Sequence, residues 1–338
     1  MQSHRPNRRT FLQAAAAGLT AAPLLGATGA LAAEASSTTT AESAEAAAND
    51  LPIIDAHIHL WDLSRYPVPW IVGDPVLEKS YVLQDFKQHS AGTGVVGMVY
   101  VQASWALDYS LLEADYVANL AAHDRFVQGM VAYAPLEFGE QVRSYLDTLV
   151  TRGLVIKGIR RALPDVTDTT FNFDRYIRGI QILPEYGLSF DILGNYHAQG
   201  PGHLDMAIKI AQQAPNTQLI IDHLLKPNIQ DHSREPWATK FAQLAQFPNV
   251  WTKISGMVTE ADVKHWTAAD LKPYIDHALS VFGEDRVVFG GDWPPVLGAS
   301  TYANWVQTAQ SLTTGMGAAG QRKLFAENAR RFYRLPTV

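Results

Sequence analysis

The chain has 338 residues, 47% of them apolar and 18% charged, with eight Trp, thirteen Tyr and a formal net charge of −6, the composition of a globular protein. It holds no cysteine, which excludes disulfides, thiolate metal sites and a Cys nucleophile together. An acidic balance without a basic stretch argues against nucleic acid or anionic lipid as a partner and for a small-molecule substrate.

Residues 1–33 read as a twin-arginine signal peptide. Asn7-Arg8-Arg9-Thr10-Phe11-Leu12-Gln13 precedes an Ala/Leu/Gly-rich stretch, and Gly29-Ala30-Leu31-Ala32-Ala33 offers small residues at the spacing a signal peptidase needs. The stretch is too weakly hydrophobic for a permanent membrane span. It contains Arg5, Arg8 and Arg9 and no acid, so its removal takes the formal charge from −6 to −9 (−6 − 3). The expectation is export of the folded protein, periplasmic or secreted, with no membrane association afterwards. Residues 34–50 are Ala, Ser, Thr and Glu without apolar periodicity, which predicts a disordered linker.

From residue 51 to 338 the pattern predicts one domain. Short β-branched runs at 52–59, 95–102, 126–132, 154–160, 188–193, 218–223, 250–255 and 287–291 read as strands. Between them, amphipathic stretches such as 111–122, 141–152, 204–213, 240–246 and 271–282 read as helices. Eight strands alternating with helices predict a (β/α)₈ barrel of the TIM type, with a doubly wound open sheet as the competing arrangement. The placement of polar residues favours the barrel. The first strand ends in His57 and His59, the second in Gln102, the fourth in Arg160 and Arg161. The fifth carries Asp191, the sixth ends in Asp222-His223, the seventh has Lys253 and Ser255, and the eighth runs into Asp292. In a parallel barrel all these ends open on one face, where barrel enzymes build their sites.

Alternation along the first strand predicts that Asp55, His57 and His59 project to one side. Two imidazoles there can share a metal ion or hold a substrate oxygen. Asp292 sits between Gly290-Gly291 and Trp293-Pro294-Pro295, a rigid turn that suits a carboxylate taking a proton from water.

Taken in order, Asp55-Ala56-His57-Ile58-His59-Leu60-Trp61-Asp62, Gly158-Ile159-Arg160-Arg161, Ile221-Asp222-His223-Leu224-Leu225-Lys226-Pro227, Lys253-Ile254-Ser255-Gly256 and Phe289-Gly290-Gly291-Asp292-Trp293-Pro294 form a set. The set resembles the amidohydrolase-related branch of the amidohydrolase superfamily, in particular its sugar-lactone and 2-pyrone-4,6-dicarboxylate lactonase subgroup. The resemblance spans residues 51–334. It implies a (β/α)₈ barrel and hydrolysis at a carbonyl centre, with His57, His59 and His223 lining the site and Asp292 as general base.

The residue chemistry is compatible with that implication. Opening a lactone needs an activated water and stabilisation of the developing oxyanion. Asp292 can take the proton and later deliver it to the leaving alkoxide. Arg160, Arg161 and Lys226 offer positive charge to substrate carboxylates or hydroxyls, and Trp61 and Trp293 offer apolar walls. His57, His59, His223 and Asp292 make a plausible site for one divalent, zinc-like ion, while the resemblance also includes members working without metal. The resemblance implies that two-metal members carry a bridging lysine on the fourth strand and histidines on the fifth and sixth. Here Lys157 stands at the start of the fourth strand and the fifth has no terminal histidine, so a two-metal site is not expected.

The segment from Gly194 to His203 departs from the family pattern as a glycine-rich loop with two histidines, His197 and His203, expected over the barrel mouth. His89, His123, His232, His265 and His277 are expected as surface or core histidines. Gly92-Thr93-Gly94-Val95-Val96-Gly97 matches a dinucleotide fingerprint by letters but leads into a strand instead of following one, so it is rejected. Two other functions compete with lactone hydrolysis: a metal-dependent non-oxidative decarboxylase on the same barrel, and a non-catalytic barrel that binds a small acid.

Overall fold

The computed structural model describes residues 51–336. The expected signal peptide and linker, 1–33 and 34–50, lie outside the described residues. Eight strands form where the sequence places them: β1 Ile53–Ile58, β2 Val95–Val101, β3 Val127–Ala132, β4 Ile156–Arg160, β5 Ser189–Ile192, β6 Leu219–Ile221, β7 Val250–Ile254 and β8 Val287–Phe289. Each pairs in parallel with the next, in sequence order. The chain leaving β8 returns to β1. Asp292 N–H donates to the His57 carbonyl and His59 N–H to the Trp293 carbonyl, both at 2.8 Å. A doubly wound sheet would reverse its strand order and leave two edges, so this is an α/β barrel of the TIM type.

Eight helices follow the strands: α1 Leu83–His89, α2 Ser110–His123, α3 Val142–Val150, α4 Phe173–Ile182, α5 Pro201–Gln213, α6 Trp237–Ala245, α7 Ala268–Phe282 and α8 Tyr302–Leu312. Their apolar stripes pack on the outward faces of the strands, as with Val142, Leu146 and Leu149 of α3. Further short helices between 317 and 333 cross the end of the barrel opposite the site. There Phe332 and Tyr333 pack with inward-facing Ile54, Val99, Ile220 and Val288.

Two local expectations are corrected. Asp55 does not share a face with His57 and His59. β1 carries an extra residue relative to β2, since Asp55 pairs with Met98 but Ile58 with Tyr100. A bulge of this kind breaks the alternation. Asp55 therefore points outward to α8, where it accepts hydrogen bonds from Tyr302 Oη at 2.6 Å and Gly291 N at 2.8 Å. Below the bulge the inward positions are Ile54 and Ala56; above it they are His57 and His59.

The segment 194–203 is likewise more regular than a loop. A helical turn, Tyr196–Gln199, begins where the Asn195 side chain accepts the Ala198 N–H, and Pro201 then opens α5. Gly200, at φ 62°, makes the bend between them.

Candidate active site

At the carboxyl ends of the strands lies a cavity of about 590 Å³, with His59, Arg160, His223, Lys226 and Asp292 among its lining residues. The β1 bulge sets His57 and His59 side by side, with their Nε2 atoms 3.2 Å apart. His59 Nδ1 bonds the Val101 carbonyl at 2.7 Å. A carbonyl can only accept, so His59 carries its proton on Nδ1 and turns a bare Nε2 into the site.

His223 arrives differently. Four consecutive non-glycine residues, His223 to Lys226, have φ between 51° and 61°. This left-handed run after β6 is costly for residues with a Cβ and persists because buried Leu224 and Leu225 anchor it. It folds His223 back over the barrel, its Nδ1 2.9 Å from Ser255 Oγ and its ring centroid 4.4 Å from that of His57. Asp292 is also left-handed, at φ 53°, and its N–H is used in closing the barrel. Its Oδ1 lies 3.5 Å from His59 Nε2 and 3.7 Å from His57 Nε2, and its Oδ2 lies 3.9 Å from His223 Nδ1.

Burial alone would raise the Asp292 pKa, but His223, His59 and His57 together hold its carboxyl well below the usual carboxylate range. Burial pushes His223 down to about 4 and lowers His57 and His59 as well. Asp292 is thus the ionised carboxylate of the cluster at neutral pH.

Beneath His57 sits a fully buried charge cluster. Lys253 Nζ donates to Asp191 Oδ2 at 2.6 Å, pairs with Asp222 Oδ1 at 2.9 Å and lies 3.2 Å from His57 Nδ1. Burial disfavours the Lys253 ammonium, but Asp191 and Asp222 outweigh it and keep it charged. Tyr333 Oη, from the far end of the chain, donates to the same Asp191 oxygen at 2.6 Å. Arg160 reaches inward from β4, with Nη1 3.3 Å from His57 Nε2 and 3.4 Å from Asp222 Oδ2.

Three residues expected around the substrate do not line the main cavity. Trp61 and Trp293 are fully buried and do not line the cavity. Trp61 Nε1 donates to the Lys79 carbonyl, and Trp293 Nε1 to His89 Nδ1, so both rings are packing behind the mouth. Arg161 turns out of the barrel one residue after Arg160, because adjacent strand residues face opposite ways. It bonds Glu137 at 3.0 Å and lines a neighbouring chamber. Lys226 does line the cavity, paired with Glu260 at 2.9 Å. His197 approaches the same Glu260, whereas His203 is a satisfied core histidine between Asn195 N and the Pro164 carbonyl.

The sequence reading passed over Trp70, Glu260 and Tyr333. Tyr333 carries no local signal, since its partner Asp191 is 142 positions away. Lys253 is placed by the sequence on the seventh strand, and the structure adds its burial between Asp191 and Asp222 beneath His57.

The donor set fits a divalent ion. His57 Nε2, His59 Nε2 and Asp292 Oδ1 are 3.2, 3.5 and 3.7 Å from one another. A tetrahedral ion with bonds of about 2.1 Å needs ligand atoms separated by about 3.4 Å. His59 is already oriented by a carbonyl on its other nitrogen, as metal-binding imidazoles usually are.

A closed parallel barrel with three histidines and an aspartate gathered at its strand ends has the layout of a barrel enzyme. More particularly, the chain belongs to the Amidohydrolase family, which it matches over residues 54–335. It is 27% identical over 288 residues to the L-fucono-1,5-lactonase of Burkholderia ambifaria, covering 83% of this chain and 95% of that one. It is 24% identical over 335 residues to the L-rhamnono-gamma-lactonase of Scheffersomyces stipitis, covering 84% and 98%. A crystal structure of a Burkholderia multivorans amidohydrolase with bound zinc superposes with a TM-score of 0.73 at 27% identity, over 84% of this chain and all of that one.

Proposed function

We propose that the protein opens an uncharged, hydroxyl-bearing lactone of the sugar-acid type by attack of water on the ring carbonyl. The observation that carries this reading is Asp292, an ionised carboxylate held among His57, His59 and His223 at the floor of an open cavity. The lactonase names of its relatives support it. Asp292 takes a proton as the water oxygen bonds the carbonyl carbon. When the ring C–O bond breaks, Asp292 returns that proton to the leaving alkoxide. Arg160 offers its guanidinium to the developing oxyanion. A divalent ion on His57, His59 and Asp292 would supply Lewis-acid polarisation of the carbonyl.

The charge balance of the cavity supports a neutral substrate over an acid. Arg160 and Lys226 are the cations on its wall, and each already faces a carboxylate, Asp222 and Glu260 respectively. Asp74, Glu260 and Asp292 line the same space. With Arg160 turned to the reacting carbonyl and Lys226 paired with Glu260, a dicarboxylate, or the aromatic acid a decarboxylase would take, finds no further cation among these residues.

Replacing Asp292 by Asn keeps the shape and removes the base. Acid release across a panel of sugar lactones is expected to fall by about 10³-fold, and unchanged turnover would overturn the assignment. We further propose that the mature protein works outside the cytoplasm, on the strength of the Arg8-Arg9 signal pattern.

A further inference from the structure

Beside the main cavity lies a second chamber of about 300 Å³, and Trp70 and Ser104 wall both spaces. Ser104 holds a left-handed φ of 52° between them, and such strain in a residue with a Cβ tends to gather at functional places. Trp70 is 48% exposed, high for a tryptophan, and its Nε1 donates to the Ala103 carbonyl at 2.7 Å. With Trp105 and Tyr133 it gives the chamber flat apolar walls.

Beside Gln102, whose Oε1 is taken by Ser104 N, the polar groups set into those walls can donate. Glu113, 1% exposed, lines the chamber, and its hydrogen bonds from Tyr100 Oη and Ala103 N both fall on Oε1. Burial pushes this carboxyl up to about 7, so at mildly acid pH it is protonated, and with Oε1 accepting two hydrogen bonds the proton falls to Oε2. Ser110 Oγ accepts from Tyr145 Oη, which leaves its own hydrogen to point elsewhere. Arg161 bonds Glu137 through Nε and Nη2, leaving Nη1 as a donor, and its charge is already matched by that carboxylate. The chamber is thus aromatic, close to electrically neutral and supplied with donors.

The geometry points to this chamber as a second subsite, taking an uncharged aromatic arm with an acceptor oxygen carried on the lactone bound in the main cavity. This rests on the lactone reading above. A ring slides between Trp70, Trp105 and Tyr133, and an ether or carbonyl oxygen accepts from Glu113, Ser110 or Arg161. Simple sugar lactones would leave the chamber filled with water.

The test compares one sugar lactone with its mono-O-benzyl ethers, by calorimetric titration into the full chain carrying Asp292→Asn, so that hydrolysis is not needed for the readout. At least one ether is expected to bind about tenfold or more tightly than the parent lactone. Adding Ala106→Phe, which fills the chamber, is expected to return that ratio to about one. Arg161→Met, which removes a donor from the wall, is expected to lower the ratio. A ratio near one for every ether, or a ratio that survives both substitutions, overturns the proposal. Failure of the lactone reading shows separately, as no acid release from any lactone by the unsubstituted protein.

Discussion

Gly256 shows how little room the site leaves at the residue scale. It follows Ser255 at φ 58°, and a Cβ there would lie 2.5 Å from His223 Nδ1 and 2.9 Å from Asp292 Oδ2. Gly256→Ala therefore drives apart the imidazole and the carboxylate whose proximity defines the site. Displacements near 1 Å at a reacting centre cost about 10²-fold in rate. The left-handed backbone alone costs alanine about 1 kcal/mol. The expected outcome is a kcat/KM loss of that order with a folded, modestly destabilised protein, read by lactone kinetics beside thermal melting. Wild-type kinetics in this variant would show that the His223–Asp292 spacing does not matter.

Between elements, the buried carboxyl of Glu113 ties α2 to the strand before it through Tyr100 of β2 and Ala103. Burial raises its pKa from the ordinary 4.5 to about 7, so the folded state prefers the neutral acid. Below pH 4.5 both folded and unfolded chains are protonated and this preference costs nothing. As pH rises toward 7 the unfolded chain ionises first, and stability falls by about 3 kcal/mol. Asp55, raised to about 7 by burial, adds a loss in the same direction. Gln at position 113 keeps the Oε1 acceptor and cannot ionise. The melting temperature of Glu113→Gln is expected to fall less than the parent's between pH 5 and 8. Parallel curves for the two proteins would mean that the carboxyl is not neutral in the fold. The same scale explains the misread first strand: alternation is a rule of regular pairing, and the bulge after Asp55 is decided by the neighbouring strand.

For the whole molecule, closure of the barrel through His57, His59, Asp292 and Trp293 makes one set of hydrogen bonds serve both the fold and the site. A domain of this size without disulfides can fold before crossing a membrane, as the twin-arginine route requires. Among the described residues no helix is long and apolar enough to span a membrane. Arg8→Lys with Arg9→Lys preserves charge but removes the arginine pair. It is expected to leave the protein in the cytoplasm at full length, read by cell fractionation and by the mass of the N-terminus. Undiminished export of the double variant would overturn the proposed route.

The sequence by itself determined the eight strands, their order and the side chains that gather at their ends, because short β-branched runs and polar strand termini are local patterns. His57, His59, His223 and Asp292 were legible for that reason. Tertiary structure decided everything that depends on which way a side chain turns once neighbours are present. It sent Asp55 outward, sank Trp61 and Trp293 into packing, and turned Arg161 away from Arg160 into the neighbouring chamber. It also joined Tyr333 to Asp191 and Lys253 beneath the histidines, a contact between distant parts of the chain that no local pattern encodes.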